Sequence, residues 1–275
     1  MINQRPMKPT SNRRSFLKKI GVSGVTASVL PTAILNEEAK AEVLSISSKS
    51  ISKENKGQRD YNTAYKDEFL NRVAFPIGGL GAGMFCLEGS GAISHMSIRS
   101  KPDVFNEPGM FAAICVKEIK NGSKIIEGVV PDWKRFGQPN TGNGAGGSIF
   151  GLPRFENTSF LARFPFATIS LAENEYPLQV EVKGWSPFIP TDADNSSLPS
   201  GALEYKFKNS SNQTVDCVFS FHSKNFVRPK EQDKDVSKNG KNFIRSMTNG
   251  FILSQAGSDA RPQDQGDFAI YTDAP

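Results

Sequence analysis

Three short runs decide the fold: Leu178-Gln179-Val180-Glu181-Val182-Lys183, Leu203-Glu204-Tyr205-Lys206-Phe207-Lys208, and Val215-Asp216-Cys217-Val218-Phe219-Ser220-Phe221-His222. In the first two, apolar side chains alternate with charged or amide ones at every step. In the third, Val215, Cys217, Phe219 and Phe221 share one face, mostly opposite polar Asp216, Ser220 and His222. Successive side chains of a strand point to opposite faces, so this pattern buries one face and leaves the other in water. Antiparallel sheets with one solvated side have that character.

The turns around these runs agree. Asn121-Gly122, Asn239-Gly240 and Asn249-Gly250 supply the positive backbone angles that tight hairpins need. The first joins strand-like residues 111–120 and 123–130, and the last joins 243–248 and 251–255. Beyond the N-terminal leader no stretch carries the period and caps of a long amphipathic helix. The expected fold is therefore all-β: a two-sheet antiparallel β-sandwich over residues 61–275. Residues 138–151, with Gly142, Gly144, Gly146, Gly147 and Gly151, read as a surface loop inside that domain. Residues 42–60 are rich in Ser, Lys and Glu and read as a flexible linker.

Residues 1–41 read as an address. Ser11-Asn12-Arg13-Arg14-Ser15-Phe16-Leu17-Lys18-Lys19 precedes a weakly apolar stretch from Ile20 to Leu35, which ends near the small-x-small site Ala39-Lys40-Ala41. A basic segment, a short apolar segment and a small-residue cleavage site make an export signal. The apolar stretch is too short and too polar for a span of about 20 residues. Arg13 and Arg14 followed by Phe16 and Leu17 resemble a twin-arginine signal. Export to the periplasm or beyond is expected, with no membrane span left after cleavage.

This leader also explains the charge. Of 33 basic and 28 acidic residues, seven and two lie in residues 1–41, so the leader accounts for the whole net charge of +5. A neutral remainder offers no basic face for nucleic acid. The three cysteines, Cys86, Cys115 and Cys217, sit widely spaced in apolar runs and are expected to be buried free thiols. Two histidines, His95 and His222, have no partner at metal-ligand spacing and read as strand residues.

Candidate sites are few. Gly78-Gly79-Leu80-Gly81-Ala82-Gly83 lacks both the dinucleotide spacing and the Lys-Ser/Thr of a phosphate loop. Gly78, Gly79, Gly81 and Gly83 read instead as close backbone packing or as a loop lining a neighbouring domain's cleft. Asp103, Glu107, Asp132, Asp192 and Asp194 lie in Pro/Gly-rich loops. A glycosidase needs two carboxylates about 5–5.5 Å apart for retention, or about 6.5–9.5 Å apart for inversion. Loop spacing cannot establish either, and solvated loop acids and Asx turns are the expectation. Trp133 and Trp185 suit sugar stacking by chemistry, and Trp185 reads as a packed corner residue by context.

An ordered set of blocks goes further. Phe75-Pro76-Ile77-Gly78-Gly79-Leu80-Gly81-Ala82-Gly83 leads to Leu87-Glu88-Gly89-Ser90-Gly91-Ala92-Ile93, then Val104-Phe105-Asn106-Glu107-Pro108 and Met110-Phe111-Ala112. Gly151-Leu152-Pro153-Arg154-Phe155, Phe164-Pro165-Phe166-Ala167 and Trp185-Ser186-Pro187-Phe188-Ile189-Pro190 follow. Asp192, Asp194, Ser196-Ser197-Leu198-Pro199 and Leu203-Glu204-Tyr205 complete the set. Together they resemble the N-terminal domain of the non-lysosomal glucosylceramidase type of β-glycosidase, glycoside hydrolase family 116.

The resemblance implies a β-sandwich followed by a separate helical barrel. It places a nucleophilic Glu and an acid/base Asp of a retaining mechanism in that barrel, with β-glucosides as substrates. After Phe268-Ala269-Ile270-Tyr271 the sequence ends at Pro275 with no barrel helices, so the chain is expected to be a truncated or split product. Whether the sandwich's last strands are included stays open. No catalytic residue, cofactor or metal ligand is assigned, and the expected partner is the helical barrel domain. The alternative is a stand-alone carbohydrate-binding sandwich, although 20 Phe against 2 Trp and 5 Tyr suit a core better than sugar platforms. A third reading, an autonomous hydrolase using its own loop acids, has no motif behind it.

Overall fold

Strand β1 (Tyr65–Lys66) is followed by a meander of β2 (Ala74–Gly78), β3 (Met84–Glu88) and β4 (Ile93–Ser97), as seen in a computed structural model. The structure describes residues 59–104, 107–136, 149–227 and 240–274. The export motif at Arg13, Arg14, Phe16 and Leu17, nearly all of the linker, and most of the glycine-rich loop lie outside the described residues. Next come β5 (Met110–Val116), β6 (Ser123–Ile125), the short helix α1 (Asp132–Phe136), β7 (Asn157–Arg163), β8 (Phe166–Ala172) and β9 (Leu178–Trp185). Helix α2 (Ala193–Ser196), β10 (Ala202–Asn209), β11 (Cys217–Ser223), β12 (Asn242–Met247), β13 (Gly250–Gln255) and β14 (Gly266–Tyr271) complete the order.

The fold is all-β, and its strand pairs are antiparallel. One layer is a five-stranded sheet in the order β1-β7-β8-β9-β10. The alternation in β9 and β10 works as the pattern requires: Val182 pairs with Tyr205 and Val180 with Phe207 on one face, Glu181 with Lys206 on the other. Phe160, Ile169 and Val182 continue the inner row across β7, β8 and β9. Phe160 and Ile169 are 0% exposed. Burying each such side chain contributes roughly 1.5–3 kcal/mol.

The second layer is two three-stranded sheets, β2-β3-β4 and β11-β5-β6. Ile77, Leu87 and Met96 of the first and Ala112, Ile114 and Val116 of the second join the inner residues of β7, β8 and β9 in one buried cluster. Specific contacts tie the layers. Gly78 N–H donates to Ser186 Oγ at 2.9 Å, and the Tyr176 hydroxyl donates to the Gly122 carbonyl at 2.9 Å. The sandwich is thus two-layered as expected, but its second layer is divided.

A further sheet, β12-β13-β14, joins the body through Phe226 and Phe268, whose ring centroids lie 4.9 Å apart edge-on. Asn225 Nδ2 donates to the carbonyls of Phe243 and Ser254, both at 3.0 Å. Two expectations are corrected here. The β12–β13 turn residues are Thr248-Asn249, because Met247 pairs directly with Gly250. Gly250 serves the sheet: a Cβ there would lie 2.1 Å from the Ile270 carbonyl oxygen. Of the cysteines only Cys86 is buried. Cys115, on the central strand β5, is half-buried, and Cys217 is exposed because β11 is an edge strand with a neighbour on one side only.

Candidate functional site

Charge is gathered where the apolar runs end. β3 carries Met84-Phe85-Cys86-Leu87 into the core and brings Glu88 with it, leaving that residue 6% exposed. The tight turn after it closes by Gly91 N–H to the Glu88 carbonyl at 2.8 Å. β6 runs out through Ile126 to Glu127, and both backbones are pinned. Ile126 N–H donates to Ala112 O at 2.9 Å, and Phe155 N–H donates to Glu127 O at 3.0 Å. Helix α1 starts after Pro131 and turns Lys134 inward, leaving it 3% exposed. Arg154 is laid out by its Nη1, which donates to the carbonyls of Ile149, Phe150 and Leu152 at 3.1, 3.1 and 2.9 Å.

Two ion-paired groups result. Lys134 Nζ lies 2.8 Å from Glu88 Oε1, 2.7 Å from Glu88 Oε2 and 2.6 Å from Glu107 Oε1. Arg154 Nε donates to Glu127 Oε2 at 3.2 Å, with both side chains at most 6% exposed. These side chains surround a cavity of about 100 Å³. Burial alone would lower the pKa of Lys134, but Glu88 and Glu107 outweigh it and the net shift is upward. Burial pushes the Glu127 carboxyl up to about 7, with Arg154 pulling the other way.

That last shift has a stability consequence. In the folded chain Glu127 holds its proton from the ordinary 4.5 up to about 7, so the folded state binds the extra proton in this window. Its contribution is full below 4.5 and lost as pH rises through 7, amounting to about 3 kcal/mol. Glu127→Gln keeps the shape without the titration. Thermal melts between about pH 5 and pH 8 are expected to show the native protein losing stability relative to Glu127→Gln as pH rises. Parallel curves for the two proteins would refute the assignment.

Buried charges are costly, and one unpaired by mutation is costlier still. Perturbed, clustered groups around a cavity are where function concentrates. For glycoside chemistry the decisive detail is what stands between the acids. Glu88 and Glu107 are held by one ammonium, so the space an anomeric carbon would need between two catalytic carboxylates is filled by Lys134.

A family model described as beta-glucosidase 2, glycosyl-hydrolase family 116 N-term, matches residues 74–275. The chain belongs to this family. The family 116 N-terminal domain is one part of a glycoside hydrolase, and its position implies a C-terminal catalytic domain in the full-length enzymes. No curated protein matches the chain.

Within this family 116 N-terminal domain the residues singled out from sequence fall as follows. Gly78 ends β2, and Gly79 packs so closely on the 196–198 segment that a Cβ would lie 2.4 Å from Ser197 O. Gly81 has φ +71° and open space around it, and the Gly83 carbonyl faces Gly78. None of the four lines the charged cavity. His222 stacks on Phe111 at 4.8 Å, and Ser94 Oγ lies 2.6 Å from His95 Nδ1. Trp133 donates to Asn71 O at 2.8 Å under the Arg72 guanidinium. Trp185 donates to Glu204 Oε1 at 2.8 Å.

Asp192 caps α2, and the hydrogen bonds it accepts from Asn195 lower its pKa. Glu107 is corrected from solvated loop acid to cluster member. Among the described residues no His/Cys/Asp/Glu group is arranged to hold a metal. No described helix is long and apolar enough to cross a membrane. Glu88, Glu127, Lys134 and Arg154 were not among the sequence candidates. For Glu88 and Glu127 a faint signal existed, a charge ending or interrupting an apolar run as in Ile125-Ile126-Glu127-Gly128-Val129-Val130; Lys134 and Arg154 carried none.

Proposed function

We propose that this chain supplies the non-catalytic sandwich of an exported, retaining β-glycosidase acting on β-glucosides. A helical barrel domain, on the same polypeptide or on another chain, carries the nucleophile and the acid. The observation that carries the reading is the family match over residues 74–275. Two features support the division of labour. The Glu88–Lys134–Glu107 arrangement leaves the best-placed acids occupied by an internal cation. The edge strands β10 and β11 meet through Phe207 and Phe219, whose ring centroids lie 5.9 Å apart. Both rings stay partly exposed, at 36% and 41%, and an apolar seam of this kind suits coverage by another domain. The Gly78–Gly83 loop contributes to the mouth of the cleft in that assembly.

The test is enzymatic. The purified chain is expected to leave an aryl β-glucoside unhydrolysed, and turnover is expected once a helical family partner is joined to it. Hydrolysis by the chain alone would sink the proposal. Export is tested separately: replacing both Arg13 and Arg14 by Lys should retain the precursor in the cytoplasm. Undiminished export of that variant would refute the twin-arginine route.

A further inference from the structure

We propose that the cavity beside Glu127 and Arg154 binds a vicinal diol, the unit shared by the edge of a pyranose and by small polyols. The pair is incompletely used. Arg154 spends Nε on Glu127 Oε2 and Nη1 on three carbonyls. Its Nη2, and Glu127 Oε1, have no protein partner among the described residues. Both side chains are more than nine-tenths buried and both line the cavity. A buried donor and acceptor left side by side call for a ligand that accepts at one atom and donates at the next. Adjacent hydroxyls do that.

The remaining wall narrows the chemistry. Glu88, Glu107, Glu127, Lys134, Arg154 and Lys224 all line the cavity, so a charged ligand would meet groups of both signs and gain little from either. Lys134 Nζ donates to Glu88 Oε1 and to Glu107 Oε1, so the strongest anion donor of the wall is already paired with carboxylates. Ile93, Met110, Val130 and Phe150 offer apolar surface to the C–H side of a polyol. A volume of about 100 Å³ has room for about three waters at roughly 30 Å³ each, the scale of a three-carbon polyol or one edge of a sugar ring. The elevated proton affinity of Glu127 lets its carboxyl act as donor as well as acceptor near neutrality.

The experiment is a titration of the full chain, by calorimetry, with methyl β-D-glucopyranoside, glycerol and, as a control without adjacent hydroxyls, 1,3-propanediol. Saturable binding is expected for a vicinal diol and not for the control. Binding of the glucoside alone identifies a pyranose as the source of the diol; binding of glycerol alone identifies a free polyol. Arg154→Lys, which loses Nη2, should weaken binding about tenfold or more. In the native protein the methyl resonance of Met110, on the cavity wall, should shift with the same saturation curve, a readout that needs no variant. Lack of binding by both diols, equal binding of 1,3-propanediol, or a stationary Met110 signal would each overturn the proposal. This outcome is independent of β-glucosidase turnover, so failure here leaves the proposed function standing.

Discussion

Lys134→Met is expected to destabilise the chain by about 3–5 kcal/mol, the cost of leaving a buried carboxylate without its counter-ion. Lys134 is 3% exposed and touches both oxygens of Glu88, itself 6% exposed. Methionine fills nearly the same volume, so the loss reports charge and not a cavity. For a body of this size the melting temperature should fall by roughly 6–20 °C. A companion variant makes the cause visible. The double variant Lys134→Met with Glu88→Met removes the buried pair and should recover most of the loss, because an apolar replacement of a buried pair is often neutral and Glu107, 35% exposed, still reaches water. A single variant as stable as the native chain in urea would mean that the ammonium is not what holds Glu88.

Phe160→Ala is the second large effect, expected to cost about 3–5 kcal/mol. Phe160 is 0% exposed on the inner face of β7, with the rings of Tyr65 and Phe75 at 6.3 and 6.4 Å. Phe219→Ala on β11 is the matched control, since 41% of that residue remains in contact with water. It should cost only about 1–2 kcal/mol in the isolated chain, in proportion to the part that is covered. Its effect is expected in assembly, as weaker association with the helical domain that covers the seam. Equal losses for the two variants, read from urea midpoints, would contradict the two-layer burial described here.

The strands were the legible part. Leu178, Val180 and Val182 alternate with polar neighbours, and they lie on the inner face of β9 as that alternation demands. The run 203–208 became β10 in continuous register with it. The ordered family blocks were likewise readable. The charged cavity was not, although Glu88 and Arg154 stood inside those blocks. Glu88 and Lys134 are 46 residues apart, and Glu127 and Arg154 are 27 apart. Each looks like an ordinary surface charge until four separate segments close around it.

The sequence by itself determined which side of each strand is apolar, because that follows from the two-residue period of an extended backbone. It also determined the family, through motifs held in a particular order. Only the tertiary structure decided which apolar faces are covered and which charges are enclosed. Phe160 and Phe219 obey the same alternation, yet one is sealed and the other meets water, because β7 has neighbours on both sides while β11 and the β10 rings it packs against stand at the edges of their sheets.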